Sequence, residues 1–338
     1  MEKKLTIRDI AKLSGVSAST VSRVLDDSDR ISAETKKSVL EVVNQYGYKP
    51  QAAARNLARQ KTSAIGIIIP QNDMNIYSSS FFQEALHGVS NSLSQNGYDV
   101  LISSGNPTEL DAIKRLISTS RIDGIILLRS VVNDASIQYL TESKFPFVLI
   151  GTCLENPDVY SVDNDNQRAA YDIAYHMYMT GKRKMAIIGG TKSSVFIQKR
   201  LEGYEKLLVE KGLPINQDYI KLENASEDYG YQSMLELLKS PSRPDSVLVM
   251  DDSICVGVMK AINESGVKIP EEIAVACFNE SSFTKYSRPA LTTISLNFYD
   301  LGYCAAKTLL SVLNNEPIQK GCRYVDHLLT IRESTVSN

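Results

Sequence analysis

From residue 5 to 48 the apolar positions recur at the three-to-four-residue spacing of short amphipathic helices. Thr6 stands as the cap of a first helix carrying Ile7, Ile10, Ala11 and Leu13; Gly15 turns the chain, and Ser17 opens a second helix, ASTVSRVL. A third starts at about Ser32, has Glu34 in its first turn and Val39, Leu40, Val42 and Val43 along one side, and ends at Tyr46-Gly47-Tyr48 before Pro50. Helices this short cannot each bury a face alone, so they must share one small core. The following QAAARNLARQKT is a short alanine-rich helix of marginal isolated stability, because helix nucleation is costly. A helix that forms only when held against something suits a switch.

From Ser63 short apolar runs alternate with amphipathic helices: AIGIIIP, FFQEALHGVSNSLSQNG, YDVLISSG, LDAIKRLISTSRI, DGIILL and FPFVLIG. After SVDND the alternation starts again with RAAYDIAYHMYMTGK and KMAIIGG and runs through SVLVM to IAVACFN. Continuous apolar strands imply sheets covered on both faces, which are parallel α/β layers. Two halves of similar length predict two doubly wound lobes with a ligand cleft between them. That pattern by itself leaves function undecided, since α/β enzymes share it.

Composition narrows the choice. A chain of 338 residues with 43% hydrophobic and 22% charged residues folds into two or three globular domains. The net charge of -2 hides an asymmetry: up to Lys61 there are 12 Lys and Arg against 7 Asp and Glu, and beyond it 25 against 32. A basic head on an acidic body means that only the head meets a polyanion. MEKKLTIRDIAKLSG has no apolar run of signal-peptide length, and no segment reaches the roughly 18 apolar residues of a membrane span, so a cytoplasmic protein without membrane contact is expected. The five cysteines (Cys153, Cys255, Cys277, Cys304, Cys322) show no paired-ligand spacing, and His87, His176 and His327 lie far apart. No metal or other cofactor is expected. No catalytic set stands out either: GTKSSVF lacks phosphate-loop glycine spacing, no serine sits in a GxSxG elbow, and Gly189-Gly190 is a weak phosphate signal.

The stretch LTIRDIAKLSGVSASTVSRVLDDSDRISAETKKSVLEVVNQYGYKPQAAARNLARQKTSAIGIIIP resembles the lactose/galactose repressor family of bacterial transcription regulators over its whole length. The resemblance implies an α/β protein in three parts. A helix-turn-helix head spans 1–49, a hinge helix 50–62, and a two-lobed periplasmic-binding-protein-like body 63–338. Lobe one then holds about 63–161 and 294–324, and lobe two about 162–293 and 325–338. A homodimer on a palindromic operator is implied as well. In such a head the first helix lies across the DNA backbone and the second enters the major groove. Ile10, Ala11, Val16, Val21 and Val24 then face inward, and Ala18, Ser19, Ser22 and Arg23 face DNA. Thr6, Ser17 and Thr20 are phosphate contacts or caps. Arg23 is the candidate for direct readout, because a guanidinium pairs with guanine O6 and N7 for about 1–3 kcal/mol of discrimination; a plain phosphate arginine is the other reading. In the hinge helix Leu57 takes the place of the family's minor-groove wedge, a hydrophobic staple for the linker being its other reading; Ala54 lets two hinge helices approach, Arg55 and Asn56 reach backbone or groove atoms, and Ala58 follows Gram-positive members.

In the body the resemblance brings Arg200 (in RLEGY), Asp251 (in VMDD) and Asn279 (in CFNESS) to the effector cleft, with Asp252 structural; a buried salt bridge that orients helices is the other reading of Arg200. Asn279 stands where many members carry aspartate, so an anionic acceptor becomes a neutral donor-acceptor. Phe81 and Phe82 are cleft aromatics or ordinary core, and Asp163 and Asp165 are hydroxyl acceptors or helix caps. FNES, SVDNDN and FFQEALHGV together resemble maltose-operon repressors of Gram-positive bacteria, which implies a repressor controlled by an uncharged sugar such as maltose or a maltodextrin. The alternative within regulation is a global catabolite regulator controlled by a phosphorylated carrier protein. Leu57→Ala is expected to weaken operator binding greatly, since unstacking a base step costs a few kcal/mol that only an inserted side chain offsets, while sugar binding stays intact. Equal operator affinity in a gel-shift titration would refute the wedge.

Overall fold

The computed structural model describes residues 5–25, 27–48, 61–70, 76–223 and 225–336. The chain divides into two compact units, Met1–Thr62 and Ser63–Asn338. The predicted hinge helix falls for the most part on residues 49–60, outside the described residues.

The first unit contains α1 (Ile7–Leu13), α2 (Ala18–Leu25) and α3 (Ala33–Gln45). Each start has a local cause. The Asp9 carboxylate accepts from the Thr6 backbone N–H at 2.8 Å and the Thr6 hydroxyl at 2.7 Å, which closes the first turn of α1. Gly15 takes φ 67° in the turn between α1 and α2. The Ser32 hydroxyl accepts from the Thr35 N–H at 3.3 Å. Ile10, Ala11, Val21, Val24, Val39 and Val43 form the shared core. Two expected core positions are corrected: Leu13 is 46% and Leu40 41% exposed. The buried stripes run through Ile10–Ala11 and Val39–Val43, and one residue along a helix rotates a side chain by about 100°, which carries Leu13 and Leu40 off them.

The second unit is built on two six-stranded sheets. The first holds β1 (Ala64–Pro70), β2 (Asp99–Gly105), β3 (Gly124–Leu127), β4 (Phe147–Ile150), β5 (Ser161–Asn164) and β11 (Cys322–Val325), in the order β11-β5-β4-β3-β1-β2 and parallel throughout. The second holds β6 (Met185–Gly189), β7 (Ile220–Leu222), β8 (Ser246–Val249), β9 (Ala274–Phe278), β10 (Thr292–Ser295) and β12 (Leu328–Thr330), in the order β12-β10-β9-β8-β6-β7. Only β12 runs antiparallel, against β10. In each sheet the chain starts inside, winds out one way, then returns and winds the other way. The reversal leaves a crevice at the carboxyl ends of the strands, where ligands of such sheets bind. Strands β3, β6, β8 and β9 are buried along their whole length, as sheets covered on both faces require.

The covering helices are α4 (Ser80–Ser94), α5 (Glu109–Ser118), α6 (Ala135–Glu142) and α12 (Phe298–Leu313) about the first sheet, and α7 (Asn166–Met179), α8 (Val195–Glu210), α9 (Glu227–Lys239), α10 (Asp252–Glu264) and the short α11 (Ser282–Tyr286) about the second. α4 and α12 cross so closely that a Cβ on Gly302 would lie 2.0 Å from the Ala85 carbonyl oxygen, and only glycine fits there. The chain passes between the sheets three times: after Asn164, between Ser295 and Phe298, and between Val325 and Leu328. The outer strands β5 and β11 thus stay with the first sheet, and β10 with the second. These crossings fall a few residues beyond the boundaries at 161 and 324 and just past 294.

Candidate functional site

In the head, Ser17 sits before α2 with its hydroxyl 2.7 Å from that of Ser19, 2.8 Å from that of Thr20, and accepting from the Thr20 N–H at 3.1 Å. Ser17 and Thr20 are therefore tied into the cap, and Thr6 into that of α1. Ser19 and Arg23 are exposed and Ser22 is half-buried, while Ala18 is half-buried and packs against the head core. The Arg23 guanidinium forms no hydrogen bond or ion pair among the described residues, its carbonyl alone accepting from the Ser28 N–H outside the helix, which leaves its fork of donors open to an acceptor. Ala54, Arg55, Asn56, Leu57 and Ala58 lie outside the described residues.

In the body, the ends of β5, β8 and β9 and the first turns of α7 and α8 meet around one buried cation. Arg200, on α8, is 4% exposed. Its Nε donates to Asn166 Oδ1 at 2.9 Å and its Nη1 to the Met250 carbonyl at 2.6 Å. Its Cζ lies 3.9 Å from the Phe278 ring centroid and 4.8 Å from that of Phe196, a favourable placement of a cation over aromatic faces. Nη2 has no hydrogen-bond partner among the described residues. Burial lowers the pKa of Arg200 to about 10, opposed by the charges of Asp251 and Asp163, so it remains a cation at neutral pH.

Asp163 closes the other end of this chain of bonds. One of its oxygens accepts from the Asn164 N–H at 2.8 Å and from Asn166 Nδ2 at 3.0 Å, the other from the Thr152 hydroxyl at 2.8 Å. Burial pushes its pKa up to about 6, against those hydrogen bonds and the attraction of Arg200. Asp165 accepts from the Arg168 N–H at 2.9 Å and is the cap of α7.

Asp251 caps α10, accepting from the Ser253 N–H at 2.9 Å and from the Ser253 hydroxyl. Its second oxygen accepts from Asn279 Nδ2 at 3.2 Å, and Asp252 accepts from the same nitrogen at 3.4 Å. The pKa of Asp252 is raised by burial and then by Asp251 beside it. Asn279 stands at φ 70°, a conformation asparagine tolerates better than most residues. Its two carboxylate neighbours fix the amide with nitrogen toward them, so Oδ1 points away, buried and without a partner among the described residues. A buried acceptor left unbonded costs about 1–3 kcal/mol, and a ligand hydroxyl removes that cost.

Arg200, Asp163, Asp251 and Asn279 are thus brought together, with Asn166 as the bridge. The phenylalanine pair is not part of this network. Phe82 is 3% exposed, in the core and edge-on to Tyr77, and Phe81 packs edge-on against Phe298 at 5.2 Å. The core reading is the one that holds for Phe82. Sequence reasoning missed Asn166, which lay within the quoted SVDNDN, and Phe196, whose only signal was its i, i+4 spacing to Arg200.

It also missed a backbone contact across the cleft. Val131, just past β3, forms an antiparallel bridge with Ser194, just before α8. Val132 N–H donates to the Ser193 carbonyl at 3.2 Å and Val195 N–H to that of Ser130 at 3.3 Å. An open groove of about 560 Å³ lined by Tyr171, Tyr175, Lys206 and Glu210 shares no residue with the Arg200 network.

The family profile "Bacterial regulatory proteins, lacI family" matches residues 6–51, and the profile "Periplasmic binding protein-like domain" matches residues 174–335. The chain is 31% identical to the HTH-type transcriptional regulator MalR of Streptococcus pneumoniae over 323 residues, 95% of this chain and 96% of that one. It is 28% identical to Catabolite control protein A of Priestia megaterium over 335 residues, 98% and 99% of the two chains. Among solved structures, the transcriptional regulator CelR in complex with cellobiose matches with a TM-score of 0.76 at 25% identity, covering 98% of this chain and 99% of that one.

The raised pKa of Asp163 has a consequence for stability. Between the ordinary value of 3.8 and about 6 the folded protein binds a proton there that the unfolded chain does not, so this group costs stability above pH 6 and ceases to do so below about 4. The full span is on the order of 3 kcal/mol. The stability of the wild type relative to Asp163→Asn is therefore expected to rise as pH falls from 7 to 4.5 in paired thermal melts. A difference that stays constant over that range would contradict the burial account.

Proposed function

We propose, from the premise that the chain belongs to the LacI family of bacterial regulatory proteins, that it is a repressor whose grip on operator DNA is set by a neutral sugar in the body. Members of this family are DNA-binding transcription regulators, not enzymes, and the neutral sugar is argued from the site. The observation that carries it is Asn279 Oδ1, a buried acceptor without a partner, in a network with the Arg200 donors. A polyhydroxyl ligand offers a donor to the first and acceptors to the second. The likeness to a solved probable maltose operon transcriptional repressor and to a regulator solved with cellobiose supports a glucose-based disaccharide, with maltose first.

In this reading the head spans 1–49, the hinge helix 50–62 and the body 63–338. Arg23 reads a base, Ser19 and Ser22 adjoin it with Ala18 behind, and Thr6, Ser17 and Thr20 face phosphates while capping their helices. Leu57 wedges the operator centre, flanked by Ala54, Arg55, Asn56 and Ala58. Two chains pair as a homodimer, because a palindromic operator requires two-fold symmetry. The protein works in the cytoplasm, where the DNA is. The sugar acts through its preference for one of two lobe arrangements, and the free energy of that preference is what reaches the operator. The likeness to Catabolite control protein A favours a second reading, in which a phosphorylated carrier protein replaces or accompanies the sugar.

A thermal-shift screen of the full chain against maltose, maltotriose, cellobiose, sucrose, glucose, lactose, ribose and adenine tests the proposal. Maltose or another glucose-based disaccharide is expected to raise the melting temperature and to change operator affinity in gel shifts, since a ligand at about 100 times its Kd adds about 2.7 kcal/mol. A response to ribose or adenine alone, or to none of these, contradicts it.

A further inference from the structure

We infer that Phe196 is a specificity-determining residue of the body site: it is the flat apolar platform for the ring of a neutral pyranose, and the site turns away acidic and phosphorylated sugars. The inference rests on the sugar reading above and deepens it. Phe196 lies in the first turn of α8. It is 38% exposed although its ring centroid is 4.8 Å from the buried Arg200 guanidinium, so the residue packs beside the cation without being enclosed. The residue before it is held in place, because Val195 donates to the Ser130 carbonyl from the opposite lobe and Ser194 bridges Val131. An aromatic ring fixed in this way beside hydrogen-bonding groups matches a sugar ring, which carries C–H groups on its faces and hydroxyls at its rim.

Charge sets the rest of the preference. Arg200 is the one cation of the network; Asp163 and Asp251 act on it directly, and Asp252 joins through Asn279. Its charge is already answered by Asp251 and Asp163, so a ligand carboxylate or phosphate meets uncompensated negative charge as well as the orphan acceptor of Asn279. A hydroxyl satisfies that acceptor and an anionic oxygen cannot.

Isothermal titration of the full-length protein with maltose and cellobiose, and with glucose 6-phosphate and glucuronate as the charged counterparts, tests both parts. Phe196→Ala and Phe196→Leu are expected to weaken binding of the preferred disaccharide by about tenfold or more, while Phe196→Tyr stays within about threefold of wild type. Leucine keeps apolar bulk beside Arg200 but not the flat face, so a loss in Leu and Ala with retention in Tyr separates stacking from packing. Melting temperatures of the unliganded variants check that each folds. If wild type and Phe196→Ala bind a disaccharide equally, the platform is wrong while the sugar reading stands. Tighter binding of glucose 6-phosphate or glucuronate than of either disaccharide overturns the neutral-ligand preference. If wild type binds none of the four, the sugar reading itself fails and takes the platform with it.

Discussion

The body depends on a guanidinium that has been taken out of water. A buried cation is tolerated only where hydrogen bonds and opposite charge replace its hydration, and Arg200 collects these from three separate parts of the chain. Asn166 and Asp163 come from the first crossing between the sheets, the Met250 carbonyl and Asp251 from the end of β8, and the aromatic faces from β9 and α8 itself. Each of these lies where a parallel strand ends or a helix begins. Backbone groups are unpaired at such places and polar side chains can converge on them. The crossing from one lobe to the other and the strand ends of the second lobe are thus tied to the same charge. In the proposed function, a ligand that bonds Arg200 acts also on the segment joining the lobes.

The lobes meet at a second place with different physics. The bridge between Val131 and Ser194 uses only backbone groups, so it holds the cleft without specifying side chains. Two backbone hydrogen bonds contribute about 0.5–1.5 kcal/mol each, a strength that ligand contacts can outweigh or reinforce. Small free energies of this kind separate two lobe arrangements without locking either.

Much of the fold was legible in the sequence because its signals are local. Three stripes at helical spacing and runs of buried β residues specify a three-helix head and parallel layers, and Thr6, Ser17, Ser32 and Asp165 announce their helices through capping chemistry. Leu13 and Leu40 misled because an apolar residue does not say which side of a short helix its neighbours occupy. In the site, Arg200, Asp251 and Asn279 were reached through family resemblance. The unpaired acceptor on Asn279 is a property of packing at residues 251 and 252 and has no sequence signature. Phe82 offered a stronger aromatic signal than Phe196, yet it is core and Phe196 is exposed, because only the topology sets the start of α8 opposite Ser130.

The proposed function requires that the body site and the DNA-reading head be coupled through the lobes of one molecule. Coupling is reciprocal, so the factor by which sugar changes operator affinity must equal the factor by which operator changes sugar affinity. The direct measurement is the Kd for the preferred disaccharide on the free full-length protein and on the protein saturated with a selected palindromic operator duplex. Coupling of this kind gives values that differ by about 5–150-fold, equal to the shift in the gel-shift titration. Equal sugar affinities in the two states would contradict it.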